Sequence, residues 1–160
     1  MIILGIDPGI ATTGFGVIAI EKGVCTLVDC GVVTTHKDLT HAERLAILYE
    51  DLTELIKKHQ PQQVAVEKLF FSTNVTTAMT VGEARGVALL VLQQGGVPIA
   101  EYTPLQVKQG ITGYGKATKK QVQEMVKTRL KLNTIPKPDD AADALAIALT
   151  HSAHVNNPRS

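Results

Sequence analysis

The chain has 160 residues, of which 44% are apolar, and its formal net charge is +1 at pH 7. This length suffices for one domain with its own core, and the apolar fraction excludes a largely disordered chain. The N-terminus enters an apolar run at once, with no basic stretch or cleavage site, so no signal peptide is predicted. No segment reaches the ~18 uncharged apolar residues of a membrane span. We therefore expect a cytoplasmic protein with no membrane partner.

The N-terminal part of the chain is predicted to form three strands joined by short turns. Residues 2–7 are an apolar run that ends in Asp7, and the turn signal Pro8-Gly9 follows. Residues 14–20 and 24–34 are the next two strands. Consecutive strands with short connections indicate an antiparallel meander.

The rest of the chain is predicted to alternate helices and strands. Leucines at helical spacing predict a first helix over 41–59, and residues 63–67 form a buried strand that ends in Glu67. The later elements are a helix at 75–94, a strand at 97–103, and helices at about 104–110, 118–131 and 139–154. This order predicts an α/β fold: a mixed five-stranded sheet, three antiparallel meander strands then parallel strands, with helices on both faces. We expect one domain over residues 1–155 and a disordered tail at 156–160.

Acidic residues in three of these elements carry the functional prediction. Asp7 and Glu67 each end an apolar strand, where burying an unpaired charge is costly, so they do not serve the core. Ligands of α/β sheets bind beyond the carboxyl ends of the strands, and neighbouring parallel strands would bring these two acids together there. Asp140 and Asp143 are three residues apart in a predicted helix and share one face.

Carboxylates that converge in this way repel one another unless a hard cation lies between them. Oxygen ligands favour Mg²⁺ or Mn²⁺, and two such ions ~4 Å apart can stabilise both oxygens of an in-line phosphoryl displacement. Simpler explanations exist for single residues: Asp7 suits an Asp-Pro-Gly turn, and Asp139 and Asp140 suit a helix N-terminus. Capping is the favoured interpretation of Asp139 alone. The combination of three acidic elements favours a metal site for the others.

Positive charge is concentrated in one window, between residues 108 and 137, which contains a single acid, Glu124. The basic residues of this window are Lys108, Lys116, Lys119, Lys120, Lys127, Arg129, Lys131 and Lys137. The window has a net charge of +7 and the rest of the chain −6. A basic sector of this kind indicates a surface that binds a polyanion, although a solvated helix surface would have the same composition.

The predicted helix at 75–94 has small residues four apart, Ala78, Gly82 and Gly86, which make a flat strip. A helix that is apolar around most of its circumference must be covered. The same helix of a second chain, related by a two-fold axis, would cover the strip and produce a homodimer. Full burial in the core of one chain is the alternative.

Motifs along nearly the whole chain, in order, make it similar to the RuvC family of crossover (Holliday) junction endodeoxyribonucleases. They are Gly5-Ile6-Asp7-Pro8-Gly9, Thr13-Gly14-Phe15-Gly16-Val17, Val66-Glu67-Lys68-Leu69-Phe70, Gly82-Glu83-Ala84-Arg85-Gly86-Val87, Gln106-Val107-Lys108-Gln109, Gly113-Tyr114-Gly115 with Lys119, and Asp140-Ala141-Ala142-Asp143-Ala144-Leu145-Ala146. The resemblance implies an RNase H-like fold and a Mg²⁺-dependent hydrolase, with two ions per subunit and Mn²⁺ as a substitute. It further implies a homodimer that binds a four-way DNA junction, nicks two opposing strands symmetrically, and works with RuvA and RuvB.

By position, the resemblance makes Asp7, Glu67, Asp140 and Asp143 the catalytic metal ligands. It places Phe70 close to the junction DNA, where a base-stacking or wedge role is favoured over core packing. It places Lys108 and Lys119 near the scissile strand, and the basic window adds Lys116 and Lys120 as expected DNA contacts.

Two other functions share parts of this pattern. The segment from Gly5 to Gly14 is similar to the first phosphate motif of actin-like ATPases and sugar kinases, although 160 residues supply only one of their two lobes. An RNase H-like nuclease that acts on RNA or an RNA–DNA hybrid is the other alternative, because two-metal hydrolysis does not distinguish the sugar.

Overall fold

The computed structural model describes residues 1–68 and 74–156. The elements are β1 (Ile2–Asp7), β2 (Thr12–Glu21), β3 (Val24–Thr34), α1 (His41–His59), β4 (Gln63–Glu67), α2 (Val75–Gln94), β5 (Ile99–Tyr102), α3 (Pro104–Thr112), α4 (Lys119–Arg129) and α5 (Asp139–Asn156). They build a five-stranded sheet of order β3-β2-β1-β4-β5. β1 pairs with β2, and β2 with β3, antiparallel, whereas β4 pairs with β1 and with β5 in parallel. The predicted mixed sheet is confirmed.

Several predicted boundaries were wrong by a few residues, for local reasons. β5 begins at Ile99 because Pro98 has no N–H for the ladder, although its carbonyl accepts from the Val64 N–H at 3.0 Å. β5 ends at Tyr102 because Thr103 caps the next helix. α5 extends to Asn156, the first residue of the predicted tail, and residues 157–160 lie outside the described part.

Three helices begin at a threonine whose side chain and backbone complete a capping box. The pairs are Thr40 with Glu43 in α1, Thr103 with Gln106 in α3, and Thr118 with Gln121 in α4. Each cap satisfies backbone N–H groups that the first turn leaves without partners. The third cap fixes where α4 starts, and so places Lys119 at its first position.

The helices cover both faces of the sheet, as predicted. On one face, α1 and α2 pack over side chains such as Leu4, Val64 and Val66. On the other face, α3, α4 and α5 pack over Ile3, Ile18 and Ala65. At the centre of this second layer, the side chains of α5 from Ala141 to Ser152 are buried, with only Asp143 partly exposed.

α5 lies unusually close to β1 and β2, because glycines face it. A Cβ atom built on Gly5 would lie 2.1 Å from the Ala144 carbonyl oxygen, and one on Gly14 would lie 2.0 Å from that of Asp140. Real Cβ atoms do not tolerate such distances, so any other residue would push the helix away. These glycines therefore set the height of α5 above the strand that carries Asp7.

α2 has the length and composition of a membrane-spanning helix, with a mean hydropathy of 1.4, although only 22% of its apolar window is buried. One such helix is weak evidence for a membrane, since a helix at an interface or in a core has the same composition. The predicted strip is not in the core: Ala78 and Gly82 are half-buried and Gly86 is exposed. Full burial of α2 within one chain was thus the wrong alternative.

Candidate metal centre

The parallel pairing of β1 and β4 brings Asp7 and Glu67 to the same edge of the sheet. Ile6 is the register partner of Val66, so the two acids that follow are neighbours at the strand ends. The two carboxyl groups lie close enough to share a proton in a side-chain hydrogen bond. The structure therefore brings these two acids together, as the sequence predicted.

α5 adds two further acids to this edge. Gly14 of β2 is the register partner of Asp7 of β1. The backbone of Asp140 lies directly over Gly14. One carboxylate oxygen each of Asp7, Asp140 and Asp143 lies within 4.8 Å of the other two. Asp7 of β1 and two acids of α5, with Glu67 of β4 beside Asp7, therefore form one cluster of oxygen ligands, which we call the acidic cluster.

The acids of this cluster are not all ionised at neutral pH without a cation. Burial, followed by the charge of Glu67 and those of Asp143 and Asp140, raises the pKa of Asp7 to about 8. Burial also raises the pKa of Glu67 and of Asp143. Bringing such groups together is unfavourable unless a positive ion compensates them. The all-oxygen donor set fits a hard divalent ion such as Mg²⁺.

Two lysines face the acidic cluster across a cleft of about 280 Å³. The cleft is lined by Glu67, Pro104, Val107, Lys108, Lys119, Val122, Asp143, Ala146 and Ile147. The Lys119 Nζ lies 3.3 Å from Asp143 and 3.4 Å from Asp139. Burial alone would lower the pKa of Lys119, but these carboxylates raise it. Lys119 is thus a protonated donor at the rim of the cluster.

The other two lysines predicted to contact DNA are not among the residues that line this cleft. Lys116 is exposed in the turn before α4. Lys120 lines a separate groove together with Tyr114 and Met125. Phe70 lies outside the described residues. The basic window therefore presents lysines on more than one side of α4, and only Lys108 and Lys119 are beside the acids.

The structure also separates Asp139 from Asp140. Asp139 opens α5 with an exposed side chain, which accepts a hydrogen bond from Gln123 Nε2 at 3.1 Å and pairs with Lys119. Asp140, one residue on, points into the acidic cluster. This placement agrees with the separate roles expected for these two residues.

One contact at the cluster was missed by the sequence analysis. Arg85 in α2 donates a hydrogen bond from Nε to the Glu67 carbonyl oxygen at 3.3 Å, and another from Nη2 to Glu101 at 2.5 Å. The sequence does show that Arg85 is a charged residue within an apolar helix. It does not show which residues the Arg85 side chain contacts, because that depends on the tertiary structure.

The fold and the acidic cluster together define an RNase H-like protein with a candidate divalent-metal site. The chain belongs to the family described as crossover junction endodeoxyribonuclease RuvC, whose model matches residues 3–151. It is 56% identical to the relative of that name from Roseiflexus sp. (strain RS-1), over 93% of this chain and 89% of the relative.

Solved structures agree with this family assignment. The Thermus thermophilus RuvC structure superposes with a TM-score of 0.90 and 40% identity, covering 98% of this chain and 96% of that one. T. thermophilus RuvC in complex with a Holliday junction substrate superposes with a TM-score of 0.89 and 37% identity over the same shares. The RNase H-like fold and the RuvC resemblance predicted from the sequence are confirmed.

Proposed function

We propose that the protein is a structure-selective endonuclease that resolves four-way DNA junctions in recombination and repair. It hydrolyses phosphodiester bonds and, as a dimer, nicks two opposing strands symmetrically. The observation that carries this proposal is the meeting of Asp7, Glu67, Asp140 and Asp143 at one edge of the sheet. The proposal is supported by the family match and by the solved complex of a relative with a Holliday junction substrate.

In this proposal, the four carboxylates hold two Mg²⁺ ions, for which Mn²⁺ substitutes. Divalent ions in such a site supply an activated water and stabilise the attacking and leaving oxygens. Asp7 interacts with Glu67 and with both acids of α5, so it would help to hold either ion. Lys119, beside Asp143, is positioned to neutralise charge on the phosphate at the cleft. Lys108 lines the same cleft.

The remaining basic residues bind the phosphate backbone of the DNA. Among them, Lys116 and Lys120 lie outside the cleft. Dimerisation through the exposed apolar side of α2 is supported by the exposure of Val75, Met79 and Leu90. Phe70 is proposed to stack on bases at the junction. Cooperation with RuvA and RuvB and a cytoplasmic location rest on family membership and remain parts of the proposal.

The two alternatives, an RNA-directed nuclease and a lobe of an actin-like ATPase, are not favoured by the family match. A nucleotide-binding assay tests the ATPase alternative, and one cleavage experiment separates the two nuclease functions. The protein is incubated with a synthetic four-way junction, a linear duplex and an RNA–DNA hybrid, with Mg²⁺, with Mn²⁺ or with EDTA, and the cuts are mapped. We expect paired symmetric cuts in the junction alone, and only with a divalent ion.

Asp7→Asn tests the assignment of the acidic cluster, with Asp51→Asn as the matched control, since Asp51 is an exposed residue of α1. We expect Asp7→Asn to bind the junction as the wild type does and to cleave orders of magnitude more slowly. Asp51→Asn should cleave at the wild-type rate. An undiminished rate in Asp7→Asn would refute the proposed site.

A further inference from the structure

We propose that Arg85 is a positioning residue for the metal centre, which acts by holding the main chain of Glu67 in place. The inference rests on the proposed function. Arg85 does not belong to the acidic cluster, and its role would be exerted through the backbone that carries one of the cluster's acids.

The first argument is where Glu67 lies. It is the last residue of β4, and as far as residue 68, where the described segment ends, the ladder adds one contact beyond it, from the Lys68 N–H to the Tyr102 carbonyl oxygen at 2.8 Å. A residue at a strand end has fewer ladder bonds to hold its direction than one in the middle. Its side chain lies beside Asp7 at the end of the neighbouring strand, so the direction of the main chain here decides whether Glu67 joins the acidic cluster. The position of Glu67 therefore needs support from outside the sheet.

Arg85 of α2 provides that support through two hydrogen bonds. Its Nε donates to the Glu67 carbonyl oxygen at 3.3 Å, while Nη2 binds the carboxylate of Glu101 at 2.5 Å. The Arg85 side chain is 19% exposed and that of Glu101 37%, so the arginine is largely shielded from solvent whereas its acidic partner lies at the surface. Glu101 is on β5, where it is the register partner of Val66, the residue before Glu67. The guanidinium group thus links α2, β4 and β5 at one point.

The chemistry of this contact requires arginine. A guanidinium group is planar and donates in several fixed directions, so one hydrogen bond to Glu101 orients the group for the other. A lysine at this position would carry the same charge but only a single, mobile donor nitrogen. Residues that orient metal ligands from outside the ligand shell commonly change metal affinity by 10–100-fold when they are mutated.

The test compares Arg85→Ala with Arg44→Ala. Arg44 in α1 also donates a part-buried hydrogen bond from Nε, to Thr35 Oγ1 at 2.9 Å, but contacts none of the cluster's acids in the described residues. Affinity for Mn²⁺ is measured without DNA by electron paramagnetic resonance. Separately, single-turnover junction cleavage is measured as a function of Mg²⁺ concentration, together with junction affinity in Ca²⁺.

We expect Arg85→Ala to bind Mn²⁺ about 10-fold or more weakly and to need correspondingly more Mg²⁺ for half-maximal cleavage. Junction affinity should change little, and Arg44→Ala should match the wild type in every measurement. Arg85→Lys should remain defective, and Glu101→Gln should show a smaller defect because its amide oxygen still accepts from Arg85. The double variant Arg85→Ala/Glu101→Ala should be no worse than Arg85→Ala, since both changes break one network.

Thermal unfolding is recorded for each variant. If Arg85→Ala is unfolded at the assay temperature, Arg85→Lys and Glu101→Gln, which keep the volume of the side chain, decide the question. Wild-type Mn²⁺ affinity in both Arg85→Lys and Glu101→Gln would overturn the inference, as would equal behaviour of folded Arg85→Ala and Arg44→Ala. A wild-type protein that binds no Mn²⁺ and cuts no junction would instead overturn the proposed function.

Discussion

α5 and α2 are both apolar helices of similar length, 18 and 20 residues, but they are covered very differently. α5 buries all but one of the side chains from Ala141 to Ser152 within this chain, because glycines of β1 and β2 let it approach closely. α2 buries only Ala84, Ala88, Val91 and Leu92. The difference shows that apolar composition alone does not reveal whether a helix is covered within its own chain.

Of the variants proposed here, Gly5→Ala should reduce stability the most, because its new Cβ would meet the backbone of α5 at Ala144 and Ala148. We expect a loss of stability of about 3 kcal/mol, measured by urea unfolding, at the upper end of overpacking effects. Gly86→Ala is the control on α2, where a Cβ meets nothing within 4 Å in this chain, and both variants are compared as monomers at low protein concentration because Gly86 lies in the proposed dimer strip. Gly86→Ala should raise stability by up to about 1 kcal/mol through helix propensity. Equal effects of the two changes would contradict the close approach of α5.

The acidic cluster should make the stability of the metal-free protein fall as pH rises. The pKa of Asp7 is raised from 3.8 to about 8, so the folded state binds a proton that the unfolded state has lost across this range. This contribution to stability is present at low pH and is lost as pH rises towards 8. We therefore expect the Tm in EDTA to fall by several degrees between pH 5 and pH 8, and Mg²⁺ to restore it at pH 8.

Asp7→Asn is the control for this pH dependence, because asparagine removes the titrating group. The difference in Tm between variant and wild type should grow in favour of the variant as pH rises. His151, whose pKa is lowered by burial, contributes with the opposite sign and is common to both proteins. A constant difference across this range would contradict the shift assigned to Asp7.

Leu90→Lys tests the exposed apolar face of α2, which is proposed to bind a second chain. Leu90 is 50% exposed, and a charge there would be desolvated in the proposed interface. We expect the dimer dissociation constant to rise at least about tenfold, which corresponds to 1.4 kcal/mol, with the monomer still folded. Val24→Lys, at a 52% exposed position on β3, is the control and should leave the dimer intact. Sedimentation velocity at a series of concentrations measures both.

Lys120→Ala should have the smallest effect. If Lys120 contacts one phosphate, the slope of log affinity against log salt becomes shallower by about 0.9. Because Lys120 lies in a groove apart from the acidic cluster, single-turnover cleavage at saturating protein should be unchanged. Lys58→Ala is the control, since Lys58 pairs with Asp29 away from the basic window, and its slope should equal the wild type's. An unchanged slope for Lys120→Ala would remove this lysine from the docking surface.

The sequence was sufficient to predict the parts of the site that depend on element order. Asp7 and Glu67 end apolar strands, so parallel pairing of β1 and β4 was enough to bring these two together. Asp140 and Asp143 share a helical face, so they reach the site together once α5 packs on the sheet.

The parts that depend on distances between elements could not be predicted in this way. Gly5 and Gly14 were recognised only as motif residues, since their role is visible only once α5 is placed over them. The contact from Arg85 to the Glu67 carbonyl oxygen has no sequence signature, because a main-chain acceptor carries no residue type. Lys119 and Lys120 are neighbours in sequence, and only the orientation of α4 shows that they face different grooves.

Because Asp140 and Asp143 lie on α5, the last helix described, the acidic cluster is completed late in synthesis. A chain still emerging from the ribosome can pair its first strands and place Asp7 beside Glu67, but it lacks the remaining ligands. Only when α5 settles on the glycines of β1 and β2 do the four carboxylates meet. Chains that end before α5 therefore lack two of the four carboxylates of the acidic cluster.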